Sequence, residues 1–207
     1  MAERPKLGLL VAEAIATYSD IEAQIALVMT RFLSAKAAPA LAMFEAITSA
    51  SAQLSAASAA ASTVLDARDM ELFEAVILIT ANVARDRHKL AHNQWGYSEE
   101  MPDALLLTEG KVSARRDMET IDAMRRTMAG ESGAFWSKLP PEKIMVYREA
   151  DLREIIAKMH RVRECYYNLS FLHPGGLEPE RIRDWLSQQP DIRAVLDRKK
   201  KAAQKTP

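Results

Sequence analysis

The residues best suited to chemistry in this chain lie between Arg85 and Gly96. This stretch holds two arginines, one lysine and two of the four histidines in the sequence, namely Arg85, Arg87, Lys89, His88 and His92. A histidine, with a reference pKa of about 6.5, can exchange a proton at neutral pH. An arginine guanidinium can bind a phosphate or stabilise negative charge that accumulates on it. Together these side chains predict proton transfer next to a bound phosphodiester.

A metal site is one alternative for the same residues. His88 and His92 are four residues apart and so share one face of a helix, which is the spacing of the paired histidine ligands in zinc peptidases. Those enzymes place a glutamate after the first histidine, whereas Lys89 follows it here. Because a cation beside the site opposes metal binding and no third ligand is evident, we expect no metal and no other cofactor.

A purely structural role is the other alternative. Basic side chains at the C-terminal end of a helix offset the helix dipole and can hydrogen-bond its last carbonyls. A histidine at such a position can simply cap the helix. For each residue of the cluster taken singly, the sequence leaves this alternative open.

The elements that must position the cluster are predicted to be helices. Apolar residues recur at spacings of three and four, as on one face of an amphipathic helix. An alanine- and serine-rich stretch without proline or glycine is also typical of a helix, one with a small-residue face. The first two predicted helices span residues 7–34 and Pro39 to about Leu65. The third runs from Asp66 or Asp69 through Ala84 into the cluster, with Gly96 as the stop, and the fourth starts near Asp151, carries apolar residues as far as Leu169 on one face and is ended by Pro174-Gly175-Gly176.

Two short apolar runs differ from this pattern. Leu105–Thr108 and Ile144–Tyr147 are predicted strands that pair as a small hairpin. Between them, residues 112–142 contain a charged helix from about Asp117 to Met128. The predicted fold is all-α, an antiparallel bundle of four to five helices with a small β-hairpin insertion at about residues 98–148.

The end of the chain is predicted to lie outside this bundle. Residues 1–175 are expected to form a single helical domain. Residues 176–207 are expected to form a short helix and a flexible basic tail, in which Arg198 and the lysines after it are solvated.

Composition limits the cellular location and the binding partners that we expect for the chain. Lysine and arginine number 28 and so do aspartate and glutamate, so no global field draws the chain to nucleic acid or to an anionic membrane. The single cysteine, Cys165, forms no internal disulfide and fits a reducing cytosol. No apolar run is long enough for a membrane span. We therefore expect a cytoplasmic protein without membrane association, in which Cys165 is a core residue.

Arg87-His88-Lys89-Leu90-Ala91-His92 resembles the signature of the HEPN superfamily, small helical bundles often found in prokaryotic defence and toxin–antitoxin systems. That signature is an arginine, commonly followed by Asn, His or Asp, and then a histidine after four to six intervening residues. The Arg87 to His92 segment matches with four, and the Arg85 to His92 segment with six. The placement at the end of a long helix strengthens the likeness, which extends over roughly residues 5–97 and 150–172.

The resemblance implies a homodimer in which the motif helices meet at a composite groove. Active members are metal-independent endoribonucleases. In the reaction that they catalyse, the ribose 2′-hydroxyl of the RNA attacks the adjacent phosphorus and yields a 2′,3′-cyclic phosphate. A cognate antitoxin or another partner protein is also implied. Other members have lost activity and serve as binding modules, so a non-catalytic dimeric interaction module is the rival expectation, and the neutral overall charge favours it.

Applied to this sequence, the resemblance implies a role for each residue of the cluster. His92 would be the general base, and Arg87 or Arg85 would stabilise the phosphorane. The expected substrate-binding residues, which orient the RNA backbone or contact a phosphate, are His88, Lys89, Asn93 and Tyr97.

Helix geometry leaves the arginine partner of His92 open. At about 100° per residue, Arg87 and His92 lie roughly 140° apart on an ideal helix, whereas Arg85 and His92 nearly coincide. Three arrangements satisfy the chemistry. The helix breaks before His92, or Arg85 is the working residue, or the pair is completed across a dimer.

Overall fold

Eight α-helices and one small sheet make up the part of the chain that the computed structural model describes, residues 3–34, 36–131, 139–173 and 175–204. None of the helices in these ranges is long and apolar enough to cross a membrane. In chain order the elements are α1 (Pro5–Phe32), α2 (Ala37–Glu45), α3 (Ala50–Ser62), α4 (Ala67–His92), β1 (Gln94–Ser98), β2 (Met101–Thr108), α5 (Gly110–Met128), a 3₁₀ turn (Pro141–Lys143), β3 (Ile144–Arg148), α6 (Glu149–Leu169), α7 (Pro179–Gln188) and α8 (Pro190–Ala203).

The mostly helical fold is confirmed, but the predicted number of four to five helices is wrong. The segment expected as one helix up to Leu65 divides into α2 and α3. The Ser49 hydroxyl starts α3 by accepting a hydrogen bond from the Ala52 N–H, at 3.4 Å. The charged helix α5 begins at Gly110, seven residues earlier than predicted.

The basic residues expected in a flexible tail instead belong to a helix. Pro190 occupies the first position of α8, where its missing N–H is no loss, and the helix continues through residues 198–201 to Ala203. Residues 205–207 lie outside the described residues. The predicted boundary between a helical domain of residues 1–175 and the remainder stays a prediction.

The sheet contains the predicted pair of strands and one more. Leu105 pairs with Tyr147, and Thr108 with Ile144, so β2 and β3 are antiparallel as expected. On its other edge β2 pairs with β1, in which Gln94 lies opposite Thr108. The expectation that Gly96 stops the preceding helix is wrong, because α4 ends at His92 and Gly96 lies within β1.

The chain divides into two compact units. The first comprises Met1–Ile15 and Arg85–Ile156 and contains the sheet, α5 and the Arg/His cluster. Its buried side chains include Leu10, Leu90, Leu105, Leu107 and Leu152.

The second unit comprises Ala16–Ala84 and Ala157–Pro207. Its core is aromatic and aliphatic, and the rings of Phe32 and Phe73 meet edge to face with centroids 5.8 Å apart. The buried hydroxyl of Tyr166 accepts a hydrogen bond from Thr80 Oγ1, at 2.9 Å. A polar atom in this core thus has a partner, as burial requires.

A buried ion pair joins α7 to the start of α4 within the second unit. The Arg183 guanidinium donates from Nε and Nη2 to the two carboxylate oxygens of Asp69, at 2.6 and 2.7 Å. The side chains are only 15% and 8% exposed. The first turn of α4 is completed by Asp66, whose carboxylate accepts a hydrogen bond from the Asp69 N–H at 2.8 Å. This agrees with the predicted helix start at Asp66 or Asp69.

We expect Cys165 to be chemically inert in the folded protein. Its side chain is buried, and this burial raises the pKa of the thiol to about 12, so the reactive thiolate is scarce at neutral pH. A chromogenic disulfide reagent should leave the native protein unmodified and titrate one thiol per chain in concentrated guanidinium chloride. Rapid modification of the native protein would contradict the assignment of Cys165 to the core.

Candidate functional site

The Arg/His cluster lies on the last two turns of α4. The helix continues without a break through His92, so the arrangement that required a break before His92 is wrong. Leu90 is buried and fixes this end of the helix in the first unit, whereas Lys89 and His92 are exposed. His92 is therefore exposed on a helix end that the buried Leu90 holds in place.

Arg87 and His92 meet within a single chain. The Nη1 atom of Arg87 lies 3.4 Å from Nε2 of His92. The long arginine side chain spans the angle that separates the two Cβ directions. When Arg87 donates to Nε2, that nitrogen carries no proton, which is the state a general base needs. The pair thus places a proton acceptor beside a permanent positive charge.

His88 completes the cluster on the same face of α4. Its ring centroid lies 4.7 Å from that of His92, and the two planes are tilted by 49°. This confirms the shared face that the spacing of the two histidines predicts. Within the described residues, no three His, Cys, Asp or Glu side chains are placed so that they could hold a metal ion.

Two hydrogen bonds hold the end of α4 in place. The last carbonyls of a helix have no partner inside it. The Asn93 N–H donates to the Lys89 carbonyl, and the indole Nε1 of Trp95 donates to the Leu90 carbonyl, both at 3.1 Å. Trp95 therefore acts as a structural anchor at the start of β1, and Asn93 serves the helix end through its backbone.

The other predicted site residues are placed differently. Arg85 and Lys89 are exposed on α4. Tyr97 is exposed on β1, where the guanidinium carbon of Arg4 lies 5.8 Å from the centre of its ring. Three residues of extended chain, about 10 Å, separate Tyr97 from Gln94 at the start of the strand. The structure thus brings together Arg87, His88 and His92, whereas the ring of Tyr97 contacts Arg4.

The end of the sheet next to His92 is also where two other elements meet. Gln94, Thr108 and Ile144 form one row across the three strands, since Thr108 is the register partner of both others. In that row β1 begins, β2 ends and β3 begins. The end of α4, the first turn of α5 and the 3₁₀ turn therefore leave the sheet from the same end.

A positively charged cleft lies beside this end of the sheet, and we call it the α5 cleft. It has a volume of about 570 Å³ and four of its lining side chains are cations. Among the described residues it is lined by Lys111, Val112, Arg115, Arg116, Glu119, Pro140 and Lys143.

Sequence reasoning did not identify the α5 cleft. Lys111 and Arg115 are four residues apart on one helix face, a signal that was available. Lys143, however, is remote in sequence and joins them only because β3 pairs with β2.

Comparisons with protein families, with curated proteins and with solved structures gave no significant match for this chain. The HEPN resemblance stays a prediction drawn from the motif residues.

Proposed function

We propose that this chain is a HEPN-like, metal-independent endoribonuclease whose catalytic pair is Arg87 and His92. The observation that carries the proposal is the 3.4 Å separation between Arg87 Nη1 and Nε2 of the exposed His92. An exposed base and a cation at this distance can reach a ribose hydroxyl and the phosphate next to it at the same time.

In the proposed reaction the RNA phosphate draws the Arg87 guanidinium away from His92 Nε2, and that nitrogen then takes a proton from a ribose 2′-hydroxyl. The 2′-oxygen attacks the adjacent phosphorus, and Arg87 stabilises the negative charge of the phosphorane. The bond to the 5′-oxygen breaks, that oxygen takes a proton from water, and the hydroxide so formed takes the proton that His92 gained. The products are a 2′,3′-cyclic phosphate and a 5′-hydroxyl. His88 and Lys89, exposed beside the pair, orient the RNA backbone.

The setting we propose is a cytoplasmic homodimer that acts in a defence or toxin–antitoxin context with a cognate antitoxin. These proposals derive from the resemblance of the motif to the HEPN signature. An arrangement in which a partner chain supplies an arginine to His92 is unnecessary for catalysis, because Arg87 already reaches His92 within its own chain.

A non-catalytic dimeric interaction module is the rival proposal, and one observation favours it. The helix α5 exposes four apolar side chains on one face, a surface that a second protein can cover. They are Met118, Ile121, Met124 and Met128, and Met128 is 89% exposed.

Incubation of the purified chain with a mixed pool of structured and single-stranded RNA in EDTA tests the first proposal. We expect cleavage, with 2′,3′-cyclic phosphate ends identified by mass spectrometry. Products with 3′-hydroxyl ends would contradict the mechanism. Intact RNA would contradict the enzyme and support the rival, provided that sedimentation shows a dimer that Met124→Glu with Met128→Glu dissociates.

A further inference from the structure

We infer that the α5 cleft binds the phosphate backbone of single-stranded RNA beside the cleavage site. This inference rests on the proposed function, because the RNA is the substrate of the Arg87–His92 pair. It assigns a role to the charged segment between β2 and β3, which lies outside the motif.

The charge of the α5 cleft identifies the class of ligand. Lys111, Arg115, Arg116 and Lys143 line it, and Glu119 is the one carboxylate among its described lining residues. The chain as a whole carries no net charge, so this concentration of cations is local. A positively charged groove that follows the backbone is how proteins bind single strands without reading their sequence.

The ion pairs already present in the α5 cleft do not prevent phosphate binding. Three of the four cations already have a carboxylate partner: Lys111 with Glu109, Arg115 with Glu119 and Arg116 with Asp117, at 3.0, 3.1 and 3.0 Å. The Lys111 and Arg115 side chains are more than four-fifths exposed. Exposed ion pairs of this kind contribute little, so a phosphate can replace the carboxylate at small cost.

The position of the α5 cleft links it to the catalytic pair. Gln94, two residues after His92, and Ile144, directly after Lys143, are separated by the one strand β2. Two strand spacings amount to about 10 Å, a distance that a few nucleotides of single-stranded RNA can span. An RNA strand bound at His92 can therefore extend over the cations near the start of α5.

The test measures binding of a short, fluorescently labelled single-stranded RNA to the full chain by anisotropy, over a series of salt concentrations. A His92→Ala background keeps the RNA intact. In that background Lys111→Gln with Lys143→Gln removes two cations from the cleft. Loss of two phosphate contacts should weaken binding roughly 25-fold at about 0.1 M salt and reduce the logarithmic salt slope by about 1.4.

The matched control removes two exposed, ion-paired cations outside the cleft, through Arg125→Gln with Arg153→Gln. We expect this control to bind like the parent. Equal weakening by both double variants, no weakening by the cleft variant, or no RNA binding by the parent would each overturn the inference. Displacement of the RNA by low concentrations of inorganic phosphate would also overturn it in favour of a small phosphate ligand.

Cleavage by the wild-type chain separates the two proposals. If the wild type cuts RNA while the Lys111→Gln/Lys143→Gln variant binds it like the parent, the cleft inference fails and the ribonuclease stands. If the parent binds RNA through the cleft but the wild type never cuts, the ribonuclease fails and the binding site stands.

Discussion

Replacement of His92 by alanine is expected to lower the rate of RNA cleavage by about 100- to 10,000-fold, the usual contribution of a general base. The variant removes the ring whose Nε2 lies beside Arg87 and leaves the rest of α4 unchanged. Because the His92 side chain is exposed, its loss should not affect folding. Single-turnover cleavage of a labelled RNA measures the effect.

His160→Ala is the matched control, since it removes a histidine from α6 outside the cluster. We expect it to cleave like the wild type. Equal cleavage by wild type and His92→Ala would refute the proposed mechanism.

The arginine variants decide between the two arginines that the sequence leaves open. Arg87→Ala should lower the rate by about 100- to 1,000-fold, as for loss of one donor to the transition state, and Arg85→Ala by less. A larger loss with Arg85→Ala would assign the role to Arg85 instead.

Arg183→Ala is expected to lower the free energy of unfolding by about 3 kcal/mol, the low end for breaking a buried ion pair, since Arg183 keeps some exposure. The substitution leaves the Asp69 carboxylate, which is 8% exposed, without its bidentate partner. Asp69 lies in the first turn of α4, so the helix that carries the Arg/His cluster is destabilised at its other end. Urea denaturation followed by circular dichroism measures the change.

Two comparisons test the Arg183–Asp69 pair. Arg183 also contacts the exposed carboxylates of Asp66 and Glu180, but such exposed pairs contribute little. Arg181→Ala removes an exposed arginine from the same helix and should cost less than about 0.5 kcal/mol. Asp69→Leu with Arg183→Leu removes both charges and should recover part of the loss, because no buried charge then lacks a partner. If Arg181→Ala and Arg183→Ala destabilise the protein equally, the buried pair is not what joins α7 to α4.

Local patterns predicted those parts of the fold that local interactions determine. Neighbouring residues determine the start of α4 directly after Asp66, the apolar face of α6 and the strand character of residues 144–147. The strand β1 was missed because its sequence contains Gly96, which is a stop signal in a helical context. Pairing with β2 overrides that signal and makes the residue part of a ladder.

The candidate site was predicted in part for the same reason. His88 and His92 lie one helical turn apart, so their spacing predicts that they share a face. The ideal helix angle predicted that Arg87 does not reach His92 on an unbroken helix, and this was wrong because the angle ignores the length of an arginine side chain. Tyr97 was assigned to the same site from its closeness in sequence, but it lies on β1, where its ring contacts Arg4. Lys143 could not be placed beside Lys111, because strand register over a long separation determines that contact.

The register between Thr108 and Ile144 has a consequence for the architecture of the chain. Residues 109–143 connect two neighbouring positions of the sheet, so this segment is an insertion into a β-hairpin. A short turn can replace it and still join the two strands. The helix α5 and its cations can therefore be exchanged without changing the pairing of β2 with β3. Under the proposed function, the RNA preference can change there without alteration of α4.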